Sequence, residues 1–99
     1  MIIGKTQENG KITLAIDGKL DTITAPRLQD LLIHSIDEAG QIELDFTKLS
    51  YVSSAGLRVL LLGQKTAAAK GASMILSGVS EEVMEILEIT GFVDILTIV

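Results

Sequence analysis

Residues 45–61 read DFTKLSYVSSAGLRVLL, and their pattern changes in the middle. The segment begins like a β-strand, passes two consecutive serines, Ser53 and Ser54, and continues as an apolar helix to residue 70. A serine oxygen at a helix N-cap accepts a hydrogen bond from a free backbone N–H and contributes about 1 kcal/mol. The local pattern therefore predicts a strand-to-helix junction at the serines and favours capping as their role.

Strand and helix patterns alternate on both sides of this junction. Residues 2–3 and 11–17 are predicted strands, joined by a turn at Asn9 and Gly10, which both tolerate positive φ. A helix over 24–39 is predicted to be capped by Thr24 and stopped by Gly40, and a third strand follows at 41–46.

Three more elements are predicted after the central helix. Residues 71–78 are apolar enough for a buried strand, residues 80–90 form a helix capped by Ser80 and stopped by Gly91, and 93–99 form a short closing strand. This order predicts an α/β fold: a mixed sheet of four to five strands, with helices packed mainly on one face.

Composition limits the classes of protein that this chain can represent. Its 99 residues are 47% hydrophobic and 21% charged, which predicts a single domain spanning residues 1–99. A net charge of -5 without a basic stripe argues against nucleic-acid binding. The longest apolar run, VLLL at 59–62, is far shorter than the roughly 20 residues of a membrane span, and the first residues do not resemble a signal peptide. We therefore expect a cytoplasmic protein without membrane insertion.

The helix over 54–70 is too apolar for one narrow buried stripe. At about 100° per residue, one side should face the sheet with Leu57, Leu60, Leu61, Gln64 and Ala68. A neighbouring side carries Arg58, Leu62, Lys65 and Ala69, and Val59 is also expected near solvent. Two interpretations stay open: ordinary scattered apolar exposure, or a partner-binding face formed by Ser54, Arg58, Leu62 and Lys65.

A serine at a helix N-terminus is also well placed to carry a phosphate. Phosphorylation adds a charge of about -1.5 to -2, and this charge meets the positive end of the helix dipole. The fold should therefore be unaffected, while the surface beside Arg58 and Leu62 would change its electrostatics.

The run LDFTKLSYVSSAGLRVLL and the upstream GKLDTITAPRLQDLL resemble the STAS domain of bacterial anti-sigma factor antagonists. A D-x(8)-S-x-G-L-x-x-L pattern carries the resemblance, at Asp45, Ser54, Gly56, Leu57 and Leu60. The resemblance covers essentially the whole chain and implies a STAS fold. It also implies that an anti-sigma factor with serine kinase activity phosphorylates Ser54, that the dephosphorylated protein binds the anti-sigma factor and frees the sigma factor, and that a PPM-type phosphatase resets the switch.

Residues near this motif complete the predicted partner-binding set. Asp21 corresponds to an acidic residue that the family uses in kinase contact, although a turn or capping role explains it equally well. Gly56 matches a glycine in the first helical turn, where a partner backbone could come close. Many relatives have Asp at the position of Ser53, so Ser53 is a second, weaker candidate acceptor. The full predicted surface is Asp21, Thr22, Ser53, Ser54, Gly56, Arg58 and Leu62.

Catalysis has little support in the sequence. The only histidine is His34, no cysteine is present, and no phosphate-binding glycine motif occurs. We expect no catalytic residue, no metal and no cofactor. Two alternative functions stay open: a constitutive STAS adaptor subunit of a transport or sensory complex, and a STAS domain that binds a small ligand or nucleotide.

Overall fold

The structure is a computed structural model that describes all 99 residues. Five strands and three helices alternate after an opening hairpin. In chain order they are β1 (Ile2–Glu8), β2 (Lys11–Leu20), α1 (Ala25–Glu38), β3 (Gln41–Asp45), β4 (Leu49–Val52), α2 (Ser54–Ala69), β5 (Ser73–Ser77) and α3 (Glu81–Ile89), followed by a 3-10 helix at Phe92–Asp94.

The sheet is mixed, as the sequence predicts. β1 and β2 are antiparallel and turn at Asn9 and Gly10, both at positive φ (52° and 78°), the conformation of a tight hairpin turn. β3 runs parallel to the first half of β2, β4 parallel to its last residues, and β5 parallel to β3. This topology brings the end of β2 beside the strand that leads into α2.

The three helices share one core against one face of the sheet. Along β2, Ile12, Leu14 and Ile16 are buried while the residues between them are not, so the strand has one core face and one open face. The open face is polar: Glu43 accepts from the Lys11 ammonium at 2.6 Å and from the Ser77 hydroxyl at 2.6 Å. The predicted α/β layer with helices on one face is confirmed.

The strand before the serines is separate from β3. After Asp45 the chain turns, with an Asp45 carboxylate oxygen accepting from the Thr47 N–H at 2.9 Å, and β4 then begins at Leu49. Gly78 lies against this turn at φ 64°, and a Cβ there would be 2.4 Å from the Thr47 hydroxyl oxygen. Because of this turn, β4 pairs with the last residues of β2, whereas β3 pairs with its first half. The helix α2, which follows β4, therefore starts beside the loop that follows β2.

The prediction of a closing strand over residues 93–99 is wrong. Residues 92–94 form a 3-10 helix, and the only strand-like pairing beyond them is a single bridge between Ile98 and Leu76. Among residues 93–99 only Leu96 is buried, and its N–H bonds back to the Phe92 carbonyl at 2.9 Å. At the very end the chain keeps two hydrogen bonds to β5, from the Leu76 N–H to the Thr97 carbonyl at 2.9 Å and from the Val99 N–H to the Leu76 carbonyl at 3.0 Å, which is too little pairing for a sixth strand.

The helix ends test the predicted caps. Ser80 caps α3 by accepting from the Val83 N–H at 3.2 Å, and Gly91 follows that helix in the left-handed conformation at φ 78°. Gly40 follows the end of α1 as predicted, but the C-cap is Ala39 in an extended conformation and Gly40 has no positive φ. Thr24 does not cap α1 with its side chain.

Candidate functional site

The two serines at the start of α2 have different roles in the structure. Ser53 is the N-cap: its backbone is extended, and its hydroxyl oxygen accepts from the Gly56 N–H at 3.3 Å. Its own N–H donates to the Leu20 carbonyl at 2.8 Å, which ties the start of the helix to the end of β2. The capping role that the sequence assigns to the pair belongs to Ser53.

Ser54 is the first helical residue and is exposed. Its hydroxyl makes no hydrogen bond within the chain, and its carbonyl oxygen lies 3.5 Å from the Arg58 Nε that donates to it one turn later. The hydroxyl is therefore accessible at the positive end of a helix of 16 residues. Nothing within the domain has to be broken to modify it.

Gly56 is needed for packing within the domain. A Cβ at this position would be 2.7 Å from the Leu20 Cγ and 3.0 Å from the Leu20 backbone oxygen. Gly56 is itself buried. The structure gives this glycine a reason within the domain, the close approach of this chain's own β2, while the approach of a partner backbone stays a prediction.

The β2–α1 loop, residues 21–24, lies beside this junction and is held by hydrogen bonds. One Asp21 carboxylate oxygen accepts from the Ile23 N–H and the Thr24 N–H, each at 3.0 Å. The Thr24 hydroxyl accepts from the Asp21 N–H at 2.9 Å, and its single proton lies within reach of two acceptors, the Lys19 carbonyl at 2.9 Å and the Asp21 carboxylate at 3.1 Å. The Thr24 backbone is already helical, so its hydroxyl cannot take the cap geometry that the sequence predicted.

Asp21 is the side chain that organises the loop. The hydrogen bond from the Thr24 backbone N–H, together with those from the Thr24 hydroxyl and the Ile23 N–H, holds the pKa of Asp21 below its usual range. Asp21 therefore remains a carboxylate throughout the neutral range. The turn role that the sequence left open for Asp21 is present, and one of its two carboxylate oxygens is occupied by it.

A shallow groove runs between α1 and α2 next to Ser54. It has a volume of about 360 Å³ and is lined by Thr22, Ala25, Pro26, Gln29, Ala55, Arg58, Val59 and Leu62. Three predicted partner-binding residues, Thr22, Arg58 and Leu62, meet here. Leu62 is 39% exposed, as predicted.

The buried side of α2 differs from the predicted one. Val59 is buried, whereas the sequence placed it near solvent, and Ala68 is exposed, whereas the sequence placed it on the inner side. The helix packs on α1 as well as on the sheet: a Cβ on Gly63 would be 2.5 Å from a Leu32 methyl carbon. Val59 is buried because α2 packs on α1 as well as on the sheet. The sequence prediction assumed that only one face of α2 is buried, so it could not include this second contact.

One exposed side chain escaped the sequence prediction. Ile23, between Thr22 and Thr24, is 85% exposed at the turn of the β2–α1 loop. The signal was present in the sequence as a single large apolar residue in a polar turn, DTIT. Such a residue contributes to no strand or helix pattern, so periodicity passes over it.

Elsewhere the described chain holds no group of three or more His, Asp or Glu side chains arranged to bind a metal ion. No helix is both long enough and apolar enough to cross a bilayer. His34 lies exposed on α1, with its Nδ1 2.7 Å from the Asp30 carbonyl oxygen.

Comparison with known proteins places the whole chain in one family. The STAS domain family matches residues 3–99. The "Anti-sigma-B factor antagonist" of Listeria monocytogenes is 30% identical over 95 residues, which is 95% of this chain and 83% of the relative.

Solved structures agree on the fold. An anti-sigma factor antagonist from Mycobacterium paratuberculosis superposes with a TM-score of 0.86 at 15% identity, over 98% of this chain and 83% of the other. The Bacillus cell fate determinant SpoIIAA in its phosphorylated form gives 0.77 at 16% identity, over 99% and 91%. These likenesses, with the family match along residues 3–99, show that the chain belongs to the STAS domain family and is related to its anti-sigma factor antagonists.

Proposed function

We propose that this protein is an anti-sigma factor antagonist controlled by phosphorylation of Ser54. In its dephosphorylated form it binds an anti-sigma factor, which releases the sigma factor. The anti-sigma factor is also the serine kinase that phosphorylates Ser54, and a PPM-type phosphatase restores binding. The protein acts as a binding module rather than an enzyme, and its partners place it in the cytoplasm.

The accessible Ser54 hydroxyl is the observation that carries this proposal. Ser53 is engaged as the N-cap of α2, whereas Ser54 is exposed and has no hydrogen-bond partner for its hydroxyl. A kinase therefore finds one free hydroxyl at this junction, in a chain 30% identical to an anti-sigma-B factor antagonist.

Local electrostatics supply the switch. A phosphate on Ser54 adds about -1.5 to -2 charges at the positive end of α2, where the helix dipole favours an anion. The fold stays intact, because the hydroxyl supports no internal contact. A partner that packs against this surface then has to desolvate a dianion, and its affinity falls.

Mass spectrometry after incubation with ATP and the anti-sigma serine kinase of the source organism tests the assignment. Wild-type protein should gain one phosphate, Ser54→Ala should gain none, and Ser53→Ala should still be modified. A wild-type protein that gains no phosphate from any such kinase contradicts the proposal, and phosphate lost only in Ser53→Ala reassigns the acceptor.

The switch itself needs a binding measurement. Ser54→Asp should lower the affinity for the anti-sigma factor at least about tenfold, which corresponds to about 1.4 kcal/mol, while Ser54→Ala binds like wild type. Equal affinity of Ser54→Asp and wild type contradicts the electrostatic mechanism. A partner that copurifies whether or not ATP is added supports the constitutive adaptor instead.

A further inference from the structure

Ile23 is the most exposed large apolar side chain of the chain, at 85%. Isolated exposed apolar residues are common and need no functional reason. Ile23 differs in its surroundings, because its side chain projects into solvent from a loop whose backbone is held by several hydrogen bonds to Asp21.

The β2–α1 loop leaves Ile23 little freedom. Its own N–H donates to the Asp21 carboxylate at 3.0 Å, and the next N–H, of Thr24, donates to the same oxygen at 3.0 Å. The Ala25 N–H donates to the Asp21 carbonyl at 2.8 Å and begins α1 directly after the turn. A loop whose backbone is fixed in this way loses little backbone conformational entropy when a partner covers the Ile23 side chain.

The position of Ile23 is continuous with the Ser54 surface. Its neighbour Thr22 lines the α1–α2 groove together with Arg58 and Leu62. The close packing of Leu20 on Gly56 and the hydrogen bond from the Ser53 N–H to the Leu20 carbonyl hold the end of β2 against the first turn of α2, so the loop begins beside the turn that carries Ser54. Partly exposed Leu62 extends the apolar character across the groove.

We propose that Ile23 is an apolar anchor of the interface with the anti-sigma factor, and that Asp21 is the positioning residue that presents it. The partner contributes an apolar pocket for the Ile23 side chain beside the region that faces Ser54. Binding energy in protein interfaces is concentrated in a few side chains that become fully buried in the complex, and this loop presents one on a pre-ordered backbone. This inference rests on the proposed function and names the contact through which binding occurs.

Matched truncations test the anchor. Ile23→Ala and Ile89→Ala remove the same atoms from two side chains of similar exposure, 85% and 77%, and Ile89 lies on α3 outside the groove. Calorimetry with the dephosphorylated protein and its anti-sigma factor should show at least about a tenfold loss of affinity for Ile23→Ala and less than about a twofold change for Ile89→Ala. Both variants should keep the wild-type melting temperature within a few degrees.

A pair of Asp21 substitutions separates positioning from direct charge contact. Asp21→Asn keeps an oxygen that can accept the Ile23 and Thr24 N–H groups, whereas Asp21→Ala keeps none. If Asp21 positions the loop, Asn should retain most of the affinity, and Ala should lose it along with amide exchange protection at Ile23 and Thr24. If Asn loses as much affinity as Ala while that protection is retained, Asp21 acts by charge and the positioning role is wrong.

The outcomes distinguish this inference from the function on which it rests. Wild-type protein that neither binds nor is phosphorylated by an anti-sigma kinase overturns the proposed function. Wild-type binding with equal affinities for Ile23→Ala and Ile89→Ala overturns the anchor and leaves the proposed function in place. Retained affinity in Ile23→Val, which keeps a branched apolar side chain, alongside its loss in Ile23→Ala supports an apolar pocket.

Discussion

The first turns of α2 and α3 are built alike but carry different charges. Each helix has a serine N-cap that accepts from the N–H three residues later, at 3.3 Å for Ser53 and 3.2 Å for Ser80. The first turn of α3 contains Glu81 and Glu82, whereas the first turn of α2 contains no acidic residue. Ser54 occupies the position in α2 that Glu81 occupies in α3.

The absence of acidic residues from the first turn of α2 explains why a reversible negative charge can be added there. In α3 the positive end of the helix dipole already faces carboxylates of the same chain, while in α2 it is left open beside a hydroxyl. A phosphate on Ser54 would give α2 the anionic first turn that α3 has permanently. The switch therefore needs no rearrangement of the fold, only the addition of charge at a site prepared to receive it.

The largest expected effect concerns packing behind the two caps. The third residue of α3 is the buried Val83, but that of α2 is Gly56, against which Leu20 packs. Gly56→Ala should lower the free energy of unfolding by up to about 2 kcal/mol, because overpacking costs about 1 to 3 kcal/mol and the helix propensity of Ala offsets about 1 kcal/mol. Urea denaturation measures the change.

Gly40→Ala is the control for this substitution. No atom lies within 4 Å of a Cβ at Gly40, and its φ is not positive, so the stability should change by no more than about 0.5 kcal/mol. Equal effects at the two glycines would show that α2 does not lie as close to β2 as the structure indicates.

The next effect tests the division between the two serines. Ser53→Ala and Ser80→Ala should each cost about 1 kcal/mol, because each removes a cap acceptor from a helix. Ser54→Ala should leave the free energy of unfolding nearly unchanged, since its hydroxyl makes no bond within the chain. Comparable losses at Ser53 and Ser54 in urea denaturation would contradict this division.

A smaller effect concerns the open dipole itself. Ser54→Asp should raise the free energy of unfolding by about 0.3 to 1 kcal/mol at low ionic strength, and Glu81→Gln should lower it by a similar amount. Both changes should shrink as salt is added, because exposed charges are screened. A destabilising Ser54→Asp at low salt would mean that α2 has no free anion position at its start.

The sequence predicted what depends on local chemistry. The turn at Asn9 and Gly10, the Ser80 cap and the Gly91 stop follow from preferences of single residues, and the structure has all three. The motif around Ser54 supplied the family, which the comparisons confirm.

The sequence failed where the outcome depends on which surfaces meet. Val59 turns inward because α1 packs beside α2. The C-terminal segment turns at residues 92–96 and keeps only one bridge to β5, at Ile98. Thr24 does not cap α1 with its hydroxyl, because its backbone is already helical. The Asp21 carboxylate, three residues earlier, accepts from the Thr24 N–H instead. The exposure of Ile23 follows from the geometry of that loop, which strand and helix periodicity does not predict.

The start of α1 differs from both serine caps, because a titratable group, Asp21, holds it. The folded-state pKa of Asp21 is lowered below its ordinary value of 3.8, chiefly by the Thr24 backbone N–H. Its contribution to stability is therefore complete above that value and is lost as the pH falls through the lowered folded-state pKa. Ser53 and Ser80 do not titrate in this range, so the starts of α2 and α3 lack this sensitivity.

Two variants isolate this effect from other acidic groups. Hydrogen bonds from Lys11 and Ser77 also lower the pKa of Glu43, so wild-type stability falls in acid for more than one reason. Asp21→Asn should therefore lose less stability than wild type between about pH 7 and about pH 2, whereas Ser53→Ala should follow the wild-type pH dependence. Identical pH profiles for Asp21→Asn and wild type in urea denaturation would show that the Asp21 carboxylate does not hold the start of α1.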